Sequence, residues 1–297
     1  MNKYENVRLV IVDPSPLVRS GLKAALFSVG FRAISDTAHF VKLHDLLAED
    51  AVDLLITSSE VENNDVGYLI REMRDQRLGT NPFVMAVVLL TSSDPDSVRR
   101  IIDSGADDLL LTPVAPDQLM GRVEKLARIR KPFVVTHDYT GPDRRTKQRA
   151  FTGQQAAVVE VPNPLKARLT DGLDGTRLAR LIGDTASQVN RMKVERYSAQ
   201  ITWLVNHIHA SVRDDLGEAK LIAEHTNRLV VVAEDMLRRA RGTPAEAVCG
   251  HVQEVLATAQ RLVSQPDGVT FTELERLADL AKGVVRVLGP GAMVQSG

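Results

Sequence analysis

Four polar side chains stand directly after apolar stretches in the first part of the chain: Asp13, Ser58, Thr91 and Thr112. The stretches before them, such as V-R-L-V-I-V and F-V-M-A-V-V-L-L, have the length and composition of buried strands. Ligand sites of α/β proteins form at the carboxyl ends of parallel strands, so these residues predict a site there. Only Asp13 is charged. The hydroxyl of Ser58 is neutral, and it is a poor ligand for Mg²⁺.

Other catalytic and metal-binding patterns are missing from the sequence. There is no zinc-ligand spacing, nucleophile elbow or phosphate-binding glycine loop, and D-G-L-D-G at 171–175 resembles a calcium loop only in composition. His207 and His209 are two residues apart and do not share a helix face. His225 and His251 lack the lysine and glycine that follow the histidine of phosphotransfer bundles. We therefore expect surface or boundary histidines, no metal site and no enzymatic activity.

A basic cluster follows a rigid turn in G-P-D-R-R-T-K-Q-R, and it contains Arg144, Arg145, Lys147 and Arg149. An arginine pair beside such a turn could bind a carboxylate, a phosphate or a nucleotide second messenger bidentately. Such clusters more often lie in a solvated linker or dock on an acidic domain. We expect one of these two arrangements, a solvated linker or docking on the acidic domain, and keep an anion-binding site as the alternative.

The elements that must position the strand-end residues alternate regularly over residues 1–132. Five apolar strand-like runs are each followed by a run with helical spacing, and the strands are apolar throughout. This pattern predicts an α/β domain with a doubly wound, five-stranded parallel sheet that is covered on both faces.

The pattern changes after residue 132. Residues 133–165 contain a Gly-Pro turn and a Pro-Asn-Pro turn, and we interpret them as a basic linker that docks partly through Phe133, Tyr139 and Phe151. Residues 166–297 are helical in pattern only, and they predict a bundle of about four helices. Trp203, the only tryptophan, fits either the core or a partner surface.

Two short segments of the helical region have the composition of capping boxes. T-P-A-E at 243–246 and T-F-T-E at 270–273 each place a glutamate three residues after a threonine. They predict the first residues of the last two helices.

Composition excludes several classes of protein. The 297 residues are 44% hydrophobic and 25% charged, with 37 Lys and Arg against 38 Asp and Glu. Near-neutral charge argues against a nucleic-acid effector, so we expect no DNA partner. The longest apolar run is too short to span a bilayer, and the first residues lack a secretory signal. One cysteine, Cys249, fits a reducing compartment, and we expect a cytoplasmic protein without a membrane partner.

The first 132 residues resemble the receiver domain of bacterial response regulators. The resemblance rests on V-D-P-S-P-L-V-R, D-L-L-I-T-S, L-L-T-S-S and, most specifically, S-G-A-D-D-L-L-L-T-P. Asp65 and Gly67 fall near the Asp-Gly pair of the family. The resemblance implies a receiver, or flavodoxin-like, fold in two-component signal transduction, where a histidine kinase phosphorylates an aspartate in a reaction that needs Mg²⁺.

The residues that perform this chemistry in the family are mostly replaced. The resemblance aligns Ser58 with the acceptor aspartate, and Asp13 and Pro14 with the acidic pair that holds Mg²⁺. With one carboxylate where the family has three, we expect that Mg²⁺ does not bind and that phosphorylation is absent.

The remaining family positions show the same loss. Thr91 matches the family's hydroxyl residue, Thr112 replaces the phosphate-binding lysine, and Leu109 replaces the aromatic switch residue. Pro113 is retained, and with it we expect the cis peptide bond of the family. The seven positions together define a degenerate phosphorylation pocket.

These observations predict a non-enzymatic signalling adaptor: a pseudo-receiver that docks or dimerises without phosphorylation and presents a helical output domain. In the family, pairing uses a face that corresponds to residues 94–130, so a homodimer or a complex with signalling proteins is expected. One alternative is a true response regulator in a phosphorelay, phosphorylated at a displaced carboxylate such as Glu60. The other is an RNA-binding, antiterminator-like regulator.

Overall fold

The structure is a computed structural model that describes residues 4–49, 52–145, 157–169, 174–213, 219–265 and 270–288. The chain divides into two compact units, Met1–Ser187 and Gln188–Gly297. Lys147, Arg149, Phe151 and most of the 171–175 segment lie outside the described residues, so their predicted roles stay predictions.

The first unit begins with alternating strands and helices, as the sequence predicts. The elements that build this part are β1 (Leu9–Val12), α1 (Pro16–Ser28), β2 (Ile34–Thr37), α2 (Phe40–Ala48), β3 (Leu54–Ser58), β4 (Glu60–Val61), β5 (Asn64–Asp65), α3 (Val66–Arg74), β6 (Met85–Leu90), α4 (Pro95–Asp103), β7 (Asp108–Leu111) and α5 (Pro116–Arg128).

Five of these strands form a parallel sheet in the order β2-β1-β3-β6-β7. Adjacent residues of β1 point to opposite faces, so Val10 packs with the side of the sheet covered by α2 and α3, while Leu9 packs with the side covered by α1 and α5. Burial on both faces explains why β6 is apolar throughout and why β3 is apolar without alternation as far as Ile56. The predicted doubly wound α/β fold is confirmed.

Local signals fix where several helices begin. Ser15, Asp65 and Asp94 occupy the N-cap positions of α1, α3 and α4, and each side chain accepts a backbone hydrogen bond from the first turn. Proline occupies the first turn of α1, α4 and α5, where its missing N–H is not needed. Helices that begin directly after the strand ends bring the intervening loops to one edge of the sheet.

The described residues of the segment that we predicted as a linker, 133–145 and 157–165, are instead a folded extension of the first unit. It contains β8 (Phe133–Val135), β9 (Thr140–Pro142) and β10 (Ala157–Val159), which form an antiparallel sheet in the order β10-β8-β9, and the start of α6 (Pro164–Leu169). The prediction was wrong because three-residue strands are too short to leave a periodic signal. The predicted docking through Phe133 and Tyr139 is borne out, since Phe133 is fully buried and Tyr139 partly buried.

A buried ion-pair cluster holds this extension against the sheet. Asp107, at the amino end of β7, lies between the guanidinium groups of Arg74 and Arg130 at 2.9 and 3.0 Å. Both guanidinium carbons lie over the ring of Phe133, at 5.1 and 4.9 Å from its centroid. Arg130 also donates to the backbone carbonyl of Pro162. Burial lowers the pKa of Arg74 to about 10, which leaves it charged at neutral pH.

A second buried carboxylate connects α6 to the same edge of the sheet. Asp53 precedes β3 and is fully buried, and Arg8 donates to it through its backbone and its guanidinium group. Arg168 of α6 lies 3.3 Å from Asp53, within ion-pair distance but without hydrogen-bond geometry. Leu165 joins the apolar core on the α1 and α5 side of the sheet. The extension therefore belongs to the first unit through both charge and apolar contact.

The second unit is helical, as predicted. Its helices are the later part of α7 (Gly175–Arg213), α8 (Ala219–Ala240), α9 (Cys249–Ser264) and α10 (Phe271–Leu288), with a 3-10 turn at Glu246–Val248. The division between the units falls inside α7 and not at residue 165, where we predicted it. Among the described residues no helix is both long and apolar enough to cross a membrane.

The two predicted capping boxes have different outcomes. At Thr270 the prediction is confirmed: the hydroxyl accepts from the backbone N–H of Glu273, and the Glu273 carboxylate accepts from the backbone N–H of Thr270. The prediction at 243–246 was wrong, because the Thr243 hydroxyl accepts from Ala245 in a turn and α9 begins only at Cys249.

Candidate phosphorylation pocket

The sheet brings the four predicted strand-end residues to one edge. Ser58 is the last residue of β3, Asp13 follows β1, and Thr91 and Thr112 follow β6 and β7. These four strands are neighbours, and the parallel pairing places Val12 beside Thr57 and Leu90 beside Leu111. The edge therefore carries one carboxylate and three hydroxyls, in the arrangement expected from the sequence.

Asp13 is a buried carboxylate, 7% exposed, with few compensating partners. Burial raises the pKa of this carboxyl, and the backbone N–H of Ser15 and the charge of Arg19 oppose that rise only in part. Arg19 donates to the backbone carbonyl of Asp13 at 2.6 Å, and its guanidinium group pairs with Asp36. Pro14, the neighbour of Asp13, is exposed and offers no side-chain ligand.

Ser58 is part of the parallel sheet and does not belong to the loop above its edge. The residue is 7% exposed, it pairs with Leu89 of β6, and its backbone carbonyl accepts the hydroxyl of Thr57. Such a position suits a short hydroxyl that continues a buried strand. It offers no charge to the edge of the sheet.

The residues at the ends of β6 and β7 differ in exposure. Thr91 is exposed, whereas the Thr112 hydroxyl donates to the carbonyl of Leu90 at 3.1 Å. The Thr112–Pro113 peptide bond is cis, as predicted. Leu109 is half-buried and packs against the core on the α2 and α3 side of the sheet, so it does not project freely.

A small polar pocket lies beside these residues, and the sequence did not predict it. Its volume is about 260 Å³, and it is lined by Ser59, Glu60, Asn63, Asp65, Leu90, Thr91, Ser92, Ser97, Arg100 and Ile101. Glu60 and Asp65 face each other across the β4–β5 hairpin. Hairpins of two-residue strands leave no periodic signal, and only the Asp-x-Gly at 65–67 could have indicated this one.

Comparison with known proteins identifies the first part of this architecture. Residues 9–124 match the model of the family described as "Response regulator receiver domain". These residues are a response regulator receiver domain. The resemblance found in the sequence is confirmed for this segment, which is part of the chain and not all of it.

Curated relatives match the receiver domain and its immediate neighbourhood. The response regulator MprA of Mycobacterium tuberculosis is 32% identical over 129 residues, which cover 43% of this chain and 53% of that protein. The transcriptional regulatory protein GltR of Pseudomonas aeruginosa is 32% identical over 124 residues, 40% of this chain and 48% of that protein. The chain thus matches only about half the length of these relatives.

Among solved structures, the signal receiver domain of a response regulator from Bermanella marisrubri matches with a TM-score of 0.36 and 18% identity. The match covers 42% of this chain and 98% of that chain.

Two residues of the basic cluster, Arg144 and Arg145, lie in the described part of the chain. Arg144 donates to the carbonyl of Ala106 at 2.6 Å, and Arg145 pairs with Asp143 at 2.8 Å. The Nε atom of Arg144 is buried and has no hydrogen-bond partner within the described part of the chain. Arg144 thus extends the contact between the receiver domain and the segment that follows β9, whereas Arg145 pairs within that segment.

The histidines of the helical unit form no site with three or more metal ligands in the described ranges. His207 stacks on Trp203 at a centroid distance of 3.8 Å, and His225 meets the same indole edge-on at 5.4 Å. The ring of His209 lies beside that of Phe271. The ring of His251 packs against Gly283 so closely that a Cβ atom at Gly283 would collide with it. Trp203 itself is 49% exposed, so it belongs to the surface more than to the core.

Proposed function

We propose that this chain is a non-enzymatic signalling adaptor whose receiver domain is a pseudo-receiver that works without phosphorylation. The observation that carries the proposal is the residue at the end of β3. Ser58 is a buried, neutral hydroxyl at the position where the resemblance expects the phosphorylated aspartate. Serine at this position cannot form the acyl phosphate on which the family's switch depends.

The same edge of the sheet fits Mg²⁺ poorly. Mg²⁺ requires near-octahedral oxygen coordination and is usually bound through one or two carboxylates together with phosphate and water oxygens. Here Asp13 is the one carboxylate at the strand ends, it is buried, and one of its oxygens already accepts from Ser15. Pro14 and Ser58 add no charged ligand. The residues at this edge therefore do not form a site that suits Mg²⁺.

The folded extension also supports an adaptor. It is tied to the receiver domain through Arg74, Asp107 and Arg130, all of which have side chains no more than 3% exposed. An ion-pair cluster of this kind is costly to break, because each change leaves a buried charge without its partner. The receiver domain is thus a fixed part of a larger folded module. In this proposal the module binds signalling proteins or a second copy of the chain through the 94–130 face, and the helical unit is presented as the output.

The small polar pocket favours one second candidate, a response regulator that is phosphorylated at a displaced carboxylate. Glu60 is exposed on β4, and it lines the pocket together with Asp65 and Thr91. An exposed carboxylate is the group on which a displaced acyl phosphate would form. Against this candidate, Glu60 lies two residues beyond the end of β3.

Intact-protein mass after incubation with Mg²⁺ and acetyl phosphate tests the proposal. Wild-type protein is expected to gain no mass, and a conventional receiver domain serves as the positive control. A triple variant, Ser58→Asp with Pro14→Asp and Thr112→Lys, restores the charged positions that the family uses. Because the fold and Thr91 are already in place, this variant is expected to gain one phosphoryl group in a form that hydroxylamine removes.

Each outcome of this experiment separates the candidates. A hydroxylamine-labile gain of one phosphoryl group by the wild type would sink the proposal. If Glu60→Gln then abolished that gain and Glu62→Gln did not, the displaced site would be established. Glu62 is a matched control, because it is an exposed carboxylate in the turn of the same hairpin.

A further inference from the structure

An open groove of the first unit lies between α4 and the folded extension. Its volume is about 830 Å³, within the range of ligand-binding clefts, and its lining combines a face of α4 with residues of β8 and β9. The lining residues are Pro95, Val98, Arg99, Ile102, Asp103, Val134, Tyr139, Pro142, Asp143, Arg144 and Arg145. The groove would not exist if 133–145 were a free linker, because half of its wall comes from that segment.

The groove has apolar side chains between charged ones. Val98 and Ile102 lie one turn apart on α4 and are half-buried, while Val134 and Pro142 of the extension are buried. A row of apolar side chains at this spacing is usually covered by another element. Here it lines an open groove.

The charges around the groove favour an anionic ligand. Arg145 is neutralised by Asp143, which leaves Arg99 and Arg144 against Asp103. Arg99 is exposed and makes no ion pair or hydrogen bond within the described ranges. Arg144 also lines the groove, and its printed hydrogen bonds, to the carbonyls of Ala106 and Asp107, use Nη2 alone. The groove thus presents two guanidinium groups with unused hydrogen-bonding capacity beside apolar surface.

We propose that this groove binds a short acidic segment of a partner protein, with apolar side chains against Val98 and Ile102 and carboxylates near Arg99 and Arg144. The nine residues of α4 rise about 13 Å, the length of roughly four residues of an extended peptide. The choice of a protein segment as ligand rests on the proposed adaptor function. The groove itself requires no phosphorylation, and it is distinct from the small pocket above α4.

Fluorescence anisotropy of labelled hexapeptides, titrated with the full chain, tests this site. The probe alternates leucine and aspartate. One control peptide replaces aspartate with lysine, and another replaces leucine with serine. Wild-type protein is expected to bind the probe at least about tenfold more tightly than either control, since both the charge and the apolar surface contribute. Binding is expected without Mg²⁺ or a phosphodonor.

Variants of α4 separate a specific site from a structural effect. Arg99→Glu is expected to weaken the leucine–aspartate probe and to strengthen the lysine control, a reversal that loss of folding cannot produce. Arg100→Ala is the matched control: it lies on the same helix but lines the other pocket, and it should leave binding unchanged. Arg144→Ala should weaken the probe by about tenfold if its guanidinium group meets a carboxylate.

The proposal is overturned if the three peptides bind equally or not at all, or if Arg99→Glu leaves their order unchanged. It is also overturned if inorganic phosphate, added at the same concentration as the peptide, displaces the probe completely. The groove would then recognise an anion without the apolar side chains. A mass gain with acetyl phosphate, by contrast, would refute the proposed function and leave the peptide result standing.

Discussion

The backbone of Gly141 in β9 lies directly against the backbone of Gly105, two residues after the end of α4. A Cβ atom built on Gly141 would lie 2.7 Å from the Cα of Gly105 and 2.6 Å from the hydroxyl of Tyr139. A Cβ on Gly105 would meet the carbonyl of Thr140 at 2.7 Å, and Gly105 also has a positive φ of 85°. Only two glycines allow the extension to approach the receiver domain this closely.

The first prediction concerns this contact. Gly141→Ala is expected to lower the free energy of unfolding of the first unit by about 1–3 kcal/mol, the usual cost of forcing an extra methyl group into a packed site. Urea denaturation followed by circular dichroism measures the change. Gly121→Ala in α5 is the matched control. A Cβ atom at Gly121 would meet no other side chain or neighbouring element within 4 Å, and alanine there should stabilise the helix by about 0.5–1 kcal/mol. Equal changes in the free energy of unfolding for Gly141→Ala and Gly121→Ala would contradict the close contact between Gly141 and Gly105.

The second prediction concerns the buried ion-pair cluster. Asp107→Asn leaves Arg74 and Arg130 charged and buried without a counter-ion, so it is expected to cost about 3–5 kcal/mol. Asp108→Asn tests the neighbouring carboxylate, which pairs with the part-exposed Arg122 and should change stability by no more than about 1 kcal/mol. Comparing the urea midpoints of the two variants decides the matter. A small loss for Asp107→Asn would mean that the extension does not depend on this cluster.

The fold of the receiver domain could be predicted because its signals are long and redundant. Five apolar runs with helices between them allow few arrangements, and residues such as Ser58 and Thr112 fall at strand ends in all of them. The extension could not be predicted in the same way. Its contacts depend on pairings such as Arg74 with Asp107, more than 30 residues apart, and a single sequence does not show which charges meet.

The capping boxes show the same limit at short range. T-P-A-E and T-F-T-E have the same pattern, but only Thr270 and Glu273 make the reciprocal hydrogen bonds. At Thr243 the chain has just left α8, and its hydroxyl also donates to the carbonyl of Ala240. The hydroxyl of Thr243 is therefore bonded to the end of α8 and does not cap the helix that follows. A local sequence pattern predicts a cap, but contacts with the neighbouring helix determine whether the cap forms.

The third prediction concerns pH and the helical unit. Burial raises the pKa of Asp235, but Arg239, the Tyr197 hydroxyl and Arg238 outweigh it and hold the pKa well below its ordinary value. The ionised carboxylate therefore stabilises the folded unit above the unfolded-state pKa of about 3.9, and this contribution is lost as pH falls through the lower folded-state pKa. Trp203 fluorescence during urea unfolding reports on this unit, since Trp203 is the only tryptophan.

Tyr197→Phe removes one of these partners without leaving a large cavity. It should cost about 1.5–3 kcal/mol at neutral pH, the usual worth of a hydrogen bond to a charged group, and progressively less as Asp235 is protonated in acid. Ser198→Ala is the control, because its buried hydroxyl donates to the helix carbonyl of Glu195 and its effect should not vary with pH. A loss for Tyr197→Phe that stays constant from neutral to acid pH would contradict the prediction.

The fourth prediction concerns the boundary of the folded receiver module. A fragment of residues 1–132 ends before Phe133 and Leu165, both fully buried, and it removes Arg168 from the buried Asp53. Truncating one buried phenylalanine or leucine side chain costs about 2–5 kcal/mol, so the two losses together approach the whole stability of an ordinary domain. We expect 1–132 to unfold at much lower temperature than 1–187, or to aggregate on expression. Thermal unfolding of the two fragments, side by side, measures the difference, and equal, cooperative transitions would show that the receiver domain folds without its extension.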